Sequence, residues 1–150
     1  LESTVHHTAE DTRREAHLAV HIASALGCGV HPLPYLSPVD WLGVNEEGTV
    51  THVIEGKCRT DSVRAFQTIW VEVAKVRALE RMAAAFNVHA GSCGLFVAEW
   101  AGDVSTTRIF RLRAILACPV VTRRRQDRAG ERPDPVYDVP IKLGDPIIPF

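Results

Sequence analysis

Apolar and polar positions along this chain follow several rhythms, and each predicts an element. From Thr8 to Leu26 there is no proline or glycine, and Ala, Leu, Arg and Glu dominate, so a helix is expected. Gly27 or Gly29 stops it. Glu15 shares a face with Ala19, Ile22 and Leu26, which places a carboxylate on an apolar stripe. After Pro32 and Pro34, Val39 to Val44 reads as a short strand, Asn45 to Gly48 as a turn, and Thr49 to Cys58 as the returning strand. The expected hairpin register sets Asp40 opposite a position near Val53, within a residue or two of Glu55. A further strand within Gly29 to Tyr35 is compatible with the pattern.

A capping residue around Thr60, Asp61 or Ser62 is expected to start a long second helix. Phe66, Ile69, Val73, Val76, Leu79 and Met82 fall three or four apart, and Asn87 or Gly91 ends the run. Gly94 to Trp100 reads as a strand, Ala101-Gly102-Asp103 as a turn, and Thr106 to Leu116 as another strand. Thr122 to Pro135 reads as a polar, arginine-rich loop, and the tail from Val136 is expected to return and cover a sheet edge. A strand, a long helix and a strand in succession imply a parallel, right-handed crossover. The expected class is α/β, with a small mixed sheet flanked by helices.

Length and composition narrow this picture without changing it. A chain of 150 residues has room for one domain and one sizeable core, so 1–150 is read as a single domain. Hydrophobic residues make up 46% and charged residues 23%, an ordinary globular profile. No apolar run approaches the roughly 20 residues of a membrane helix, and no secretory signal pattern is visible. A cytoplasmic, reducing location without a membrane partner is expected. The four cysteines are widely spaced with no CxxC pair, which fits small buried hydrophobes better than a zinc or disulfide framework. Net charge is −1, yet Arg108 to Arg132 holds eight arginines against Asp127 and Glu131. One basic region of that kind can hold a polyanion.

The candidate chemistry lies in Asp40 and in Glu55-Gly56-Lys57. Side chains two apart on a strand share a face, so the Glu55 carboxylate and the Lys57 ammonium project together. Their strand joins the hairpin to the crossover, near the sheet's centre, where buried charges need compensation. Asp40 on the partner strand supplies a second acid. Two carboxylates, a main-chain carbonyl and water make a hard oxygen site suited to Mg2+ or Mn2+. Such an ion polarises a phosphodiester and acidifies water, and a neighbouring lysine meets developing charge.

Pro38-Val39-Asp40 and Glu55-Gly56-Lys57, with a helix before and a long helix and strand after, resemble the PD-(D/E)XK nuclease superfamily over roughly residues 8–100. The likeness is to its small phage- and prokaryote-type nuclease-like domains and its Holliday-junction-resolvase-like proteins. It implies a restriction-endonuclease-like αβββαβ core and Mg2+- or Mn2+-dependent hydrolysis of DNA. By the same resemblance Asp40, Glu55 and the Gly56 carbonyl are metal ligands and Lys57 is the catalytic lysine. A glutamate from the first helix assists in many members, and Glu15 is the best match, with Glu10 in reserve. Gln67 and Lys75 are further cleft candidates. The departure is Val39, which separates proline from aspartate. A phage-encoded source and a homodimer are compatible with this reading.

Other features are weighed beside it. His17 and His21 are one helical turn apart, a spacing that can hold zinc, but the sequence offers no obvious third ligand. Arg123, Arg124, Arg125 and Arg128 form a candidate phosphate-gripping loop, with a solvated charge run as the alternative. Trp41 and Trp70 read as core, while Trp100, beside the turn, is a candidate for stacking on a base. Ser92 and Cys93 lack a base partner. The leading expectation is a metal-dependent endonuclease acting on DNA. The alternatives are a non-catalytic nucleic-acid-binding or virion-associated module with the same fold, or a structural domain that binds protein.

Overall fold

A computed structural model describes residues 9–124 and 133–147. Helix α1 (Ala9–Leu26) buries Leu18 and Ile22 completely, four residues apart on one stripe, and ends at Gly27 with φ of 67°. The next strands, β1 (Gly29–Pro32), β2 (Trp41–Val44) and β3 (Val50–Arg59), form an antiparallel meander. The turn between β2 and β3 is closed by the Asn45 side chain, whose Oδ1 accepts from the N–H groups of Glu47 and Thr49 at 3.1 and 2.9 Å. Strand β5 (Gly94–Trp100) runs parallel to β3, and β6 (Asp103–Arg111) returns antiparallel. Short β9 (Asp145–Pro146) completes a sheet of order β1-β2-β3-β5-β6-β9, covering the β6 edge as expected of the tail.

Between β3 and β5 the structure departs from the expected single long helix. Thr68–Glu72 is a strand, β4, and the helix α2 spans only Val73–Ala85. The residues from Thr68 to Val71 are β-branched or aromatic, Ile69 and Val71 are buried, and Trp70 points outward. That alternation of period two lay hidden because Ile69 also fits the helical series of Val73 and Val76. What selects the strand is a partner far along the chain, β8 (Pro133–Pro140), which pairs in turn with β7 (Val120–Arg124). The two ends of the region expected to be a loop, residues 122–124 and 133–135, therefore lie in strands of a second sheet of order β4-β8-β7. Residues 125–132 of that expectation lie outside the described residues.

Two further expectations change. Thr106 to Leu116 is not one strand: β6 stops at Arg111, and α4 (Leu112–Leu116) turns Leu112 and Ile115 into the core. Trp100 is 2% exposed and belongs to the core, so it cannot stack on a base, whereas Trp70 is 47% exposed on the outer face of the second sheet. A four-residue helical turn, α3 (Ala90–Cys93), precedes β5. The αβββαβ order survives all of this as α1-β1-β2-β3-α2-β5, with β4 diverted into the second sheet.

Apolar side chains fill both faces of the main sheet. Leu18 and Ile22 of α1 pack with Trp41, Ile54, Leu95 and Val97 on one face. Val76 and Leu79 of α2 pack with Val53, Phe96, Ala98 and the inward residues of the second sheet on the other. Strand β3 is therefore covered on both faces from Val53 to Glu55, and a charged side chain on that stretch is placed in a dry environment.

Candidate active site

Register brings the two acids together. Trp41 pairs with Ile54 and Leu42 with Val53, which carries Asp40 to the level of Glu55 rather than of Val53. A bulge between Gly43 and Val44 leaves Thr51 extra on β3 and shifts the ladder by one residue. The turn supplies the remaining difference from the expected register. The Asp40 N–H donates to the Ile54 carbonyl at 3.2 Å, and Asp40 Oδ2 accepts from the Gly56 N–H at 2.8 Å. A strand residue points its N–H and C=O to the same side, so the Gly56 carbonyl also faces Asp40.

Gly56 is required by packing. A Cβ there would stand 2.4 Å from Cζ3 of Trp41, so the indole packs directly against the backbone that presents Glu55 and Lys57. This close approach is made on the α1 face, and Glu55 projects from the other.

Glu55 is 6% exposed, and its Oε1 has no hydrogen-bond partner. Its Oε2 lies 3.0 Å from Nζ of Lys75, in the first turns of α2. Burial above all, and then the Asp40 charge, push the Glu55 carboxyl from 4.5 to about 7, although Lys75 and Lys57 pull the other way. Half-burial works against the Lys75 ammonium, but Glu55, Asp40 and Glu72 outweigh it and raise the lysine's proton affinity.

The remaining candidates are placed as follows. Glu15, Asp40 and Lys75 line one open cleft of about 1050 Å³, together with Trp41 and an apolar wall that includes Tyr35 and Leu36. Glu55 is tied to this lining through Lys75. Lys57 is exposed, two residues beyond Glu55 on the same face of β3. Gln67 is exposed on the segment leading into β4, with its carbonyl accepting from Ile141 at 3.0 Å, and it does not line the cleft. Arg123 is held inside the second sheet, 3.9 Å from Glu72, 3.5 Å from Asp134 and 5.7 Å over the Trp70 ring. Arg124 ends β7, while Arg125 and Arg128 lie outside the described residues.

A divalent cation fits the chemistry of this donor set. Among the described residues no three His, Cys, Asp or Glu side chains surround one point. The protein therefore offers two carboxylates and one backbone carbonyl, the hard oxygen donors that Mg2+ and Mn2+ prefer, with water to complete the shell. The orphaned Oε1 of Glu55 leaves this set open to one further partner, because a buried carboxylate oxygen is seldom left without one.

Comparison with known proteins bears on family and fold. Residues 3–147 match the family described as "Phage putative PDDEXK endonuclease". Among solved structures, a Holliday junction resolvase, Hjc, from the archaeal hyperthermophile Archaeoglobus fulgidus has a similar fold. Its TM-score is 0.58 at 18% identity, over 93% of each chain. No curated protein matches in sequence.

Proposed function

Because the chain belongs to the phage PDDEXK endonuclease family, we propose that it is a metal-dependent endonuclease that hydrolyses DNA phosphodiester bonds at Asp40, Glu55 and Lys57. The observation that carries the proposal is the meeting of Asp40 and Glu55 across the β2–β3 ladder, with one Glu55 oxygen buried and unpartnered. Asp40, Glu55 and the Gly56 carbonyl would hold Mg2+ or Mn2+. When bound, the ion polarises the phosphoryl group and makes water a stronger nucleophile. Lys57, exposed beside Glu55, meets the scissile phosphate and the charge that develops on it. Lys75 orients Glu55 and partly offsets the cost of its charge, and Glu15 positions water from α1 in the cleft it shares with Asp40.

The arginines from Arg123 to Arg128 are the proposed grip on the DNA backbone. Arg123 serves indirectly, by fixing the end of β7, since its guanidinium is already engaged by Glu72, Asp134 and Trp70. A phage-encoded origin is part of this reading, supported by the family's description, and cutting both strands of a duplex would call for two copies of this single site.

The test is cleavage of supercoiled plasmid and branched DNA with Mg2+ or Mn2+, wild type beside Lys57→Ala. Metal-dependent cutting that is lost in the variant is the expected result. A folded wild type that binds DNA in a salt-sensitive way yet cuts none of these substrates would make the chain a binding module instead.

A further inference from the structure

The sheet face opposite Glu55 carries a second buried carboxylate. Glu99 of β5 is 2% exposed and stands in register with Cys58 of β3. It shares its face with Leu95 and Val97, which pack with Leu18 and Ile22 of α1. Its Oε2 has no hydrogen-bond partner. Burial raises the proton affinity of Glu99, against the pull of His17, Arg14 and His21. A buried polar atom in this condition marks a place where an ion or a water belongs.

Helix α1 carries His17 and His21 one turn apart, both near enough to Glu99 to act on its charge, with their Nε2 atoms 3.2 Å from each other. Two imidazole nitrogens bound to one tetrahedral zinc-class ion, each roughly 2.0–2.1 Å from it, stand about 3.3 Å apart. A proton shared by two neutral rings explains the same distance, but it leaves Glu99 unexplained. One open cleft of about 970 Å³ is lined by both His17 and Glu99. The cations at its rim have other partners: Arg13 pairs with Glu10, and Arg14 donates to the Arg59 carbonyl at 3.2 Å. The third ligand that the HxxxH spacing lacks in the sequence is thus supplied by a strand roughly eighty residues away.

We propose that His17, His21 and Glu99 form a second metal site, for a zinc-class transition-metal ion, on the face of the sheet opposite Asp40 and Glu55. Two imidazoles and a carboxylate suit Zn2+ or Co2+ and disfavour Mg2+, which keeps to oxygen donors. These three side chains do not already surround one point, so the ion gathers them on binding instead of entering a finished cage. Bound there, it ties α1 to β5 and so fixes the helix that brings Glu15 to the first cleft.

The probe is Co2+ titrated into untagged protein, read by its visible absorption bands and repeated with excess Mg2+. One equivalent is expected to give the bands of a four- or five-coordinate ion, displaced by Zn2+ and indifferent to Mg2+. His17→Ala, His21→Ala and the near-isosteric Glu99→Gln should each weaken binding about tenfold or more, with circular dichroism confirming the fold. Asp40→Asn should leave it unchanged. No bands, bands that persist in Glu99→Gln, or bands that vanish in Asp40→Asn while ignoring His17→Ala would each overturn the proposal.

Discussion

The Lys75 ammonium stands 3.0 Å from Oε2 of Glu55, and this contact is too weak to offset what burial and Asp40 do to that glutamate. Lys75 is 45% exposed at its side chain and Glu55 7%, so water screens the lysine's share of the attraction while the carboxylate stays dry. The result is a carboxyl held near neutrality, stabilised as an anion only when more positive charge arrives.

Stability without metal should therefore fall as pH rises. A carboxyl whose folded value is raised to about 7 favours the folded state fully below 4.5, and that contribution is lost as pH climbs through 7. The shift corresponds to roughly 3 kcal/mol at most. Glu55→Gln should match wild type in urea unfolding near pH 5 with EDTA, and exceed it near pH 8.5. Equal stability of the two proteins at both pH values would contradict the buried, repelled carboxylate.

Lys75→Met should act in the opposite sense. Removing the cation leaves Glu55 with less compensation, so the variant should lose about 1–2 kcal/mol at pH 8.5, discounted for the lysine's exposure. Near pH 5, where Glu55 is protonated, it should lose little. A loss independent of pH would mean that Lys75 contributes packing, not charge.

Metal should reverse the penalty. Millimolar Mn2+ is expected to raise the melting temperature of wild type at pH 8, because a ligand that binds only the folded state stabilises it by mass action. Asp40→Asn keeps an acceptor for the Gly56 N–H but removes one anionic ligand. It should melt at least as high as wild type in EDTA and respond weakly to Mn2+. An undiminished Mn2+ response in that variant would exclude Asp40 as a ligand.

Gly56→Ala tests how the backbone of the site is held. The new methyl would meet Trp41 at 2.4 Å, so either the indole or β3 has to move, at about 1–3 kcal/mol. Trp41→Leu in the same chain should recover part of that loss. Cleavage should fall further than stability, since the Gly56 N–H and carbonyl both face Asp40.

Arg124, Arg125 and Arg128 should reveal themselves through salt. If each neutralises one phosphate, its replacement by alanine lowers the salt-dependence slope of DNA binding by about 0.9. Arg123→Ala should instead destabilise the second sheet, where it bridges Glu72 and Asp134. Slopes unchanged in all three of the former variants would move the DNA grip elsewhere.

The sequence by itself determined the local parts. The run from Thr8 to Leu26 without proline or glycine defined α1, the Asn45–Gly48 turn defined a hairpin, and Asp40 with Glu55-Gly56-Lys57 marked where to look for chemistry. These features depend on neighbours within a few residues, and local propensity reports them faithfully. Only the tertiary structure decided that Thr68–Glu72 is a strand, because its partner Val136–Pro140 lies nearly seventy residues away. It also decided that a bulge at Thr51 helps set Asp40 level with Glu55, that Lys75 is the cation in contact, and that Glu99 shares a cleft with His17. A one-residue change of register turns every side chain of a strand to the other face, and burial turns an ordinary glutamate into one that holds its proton near neutral pH. Both effects arise between segments distant in sequence, where periodicity and composition carry no information.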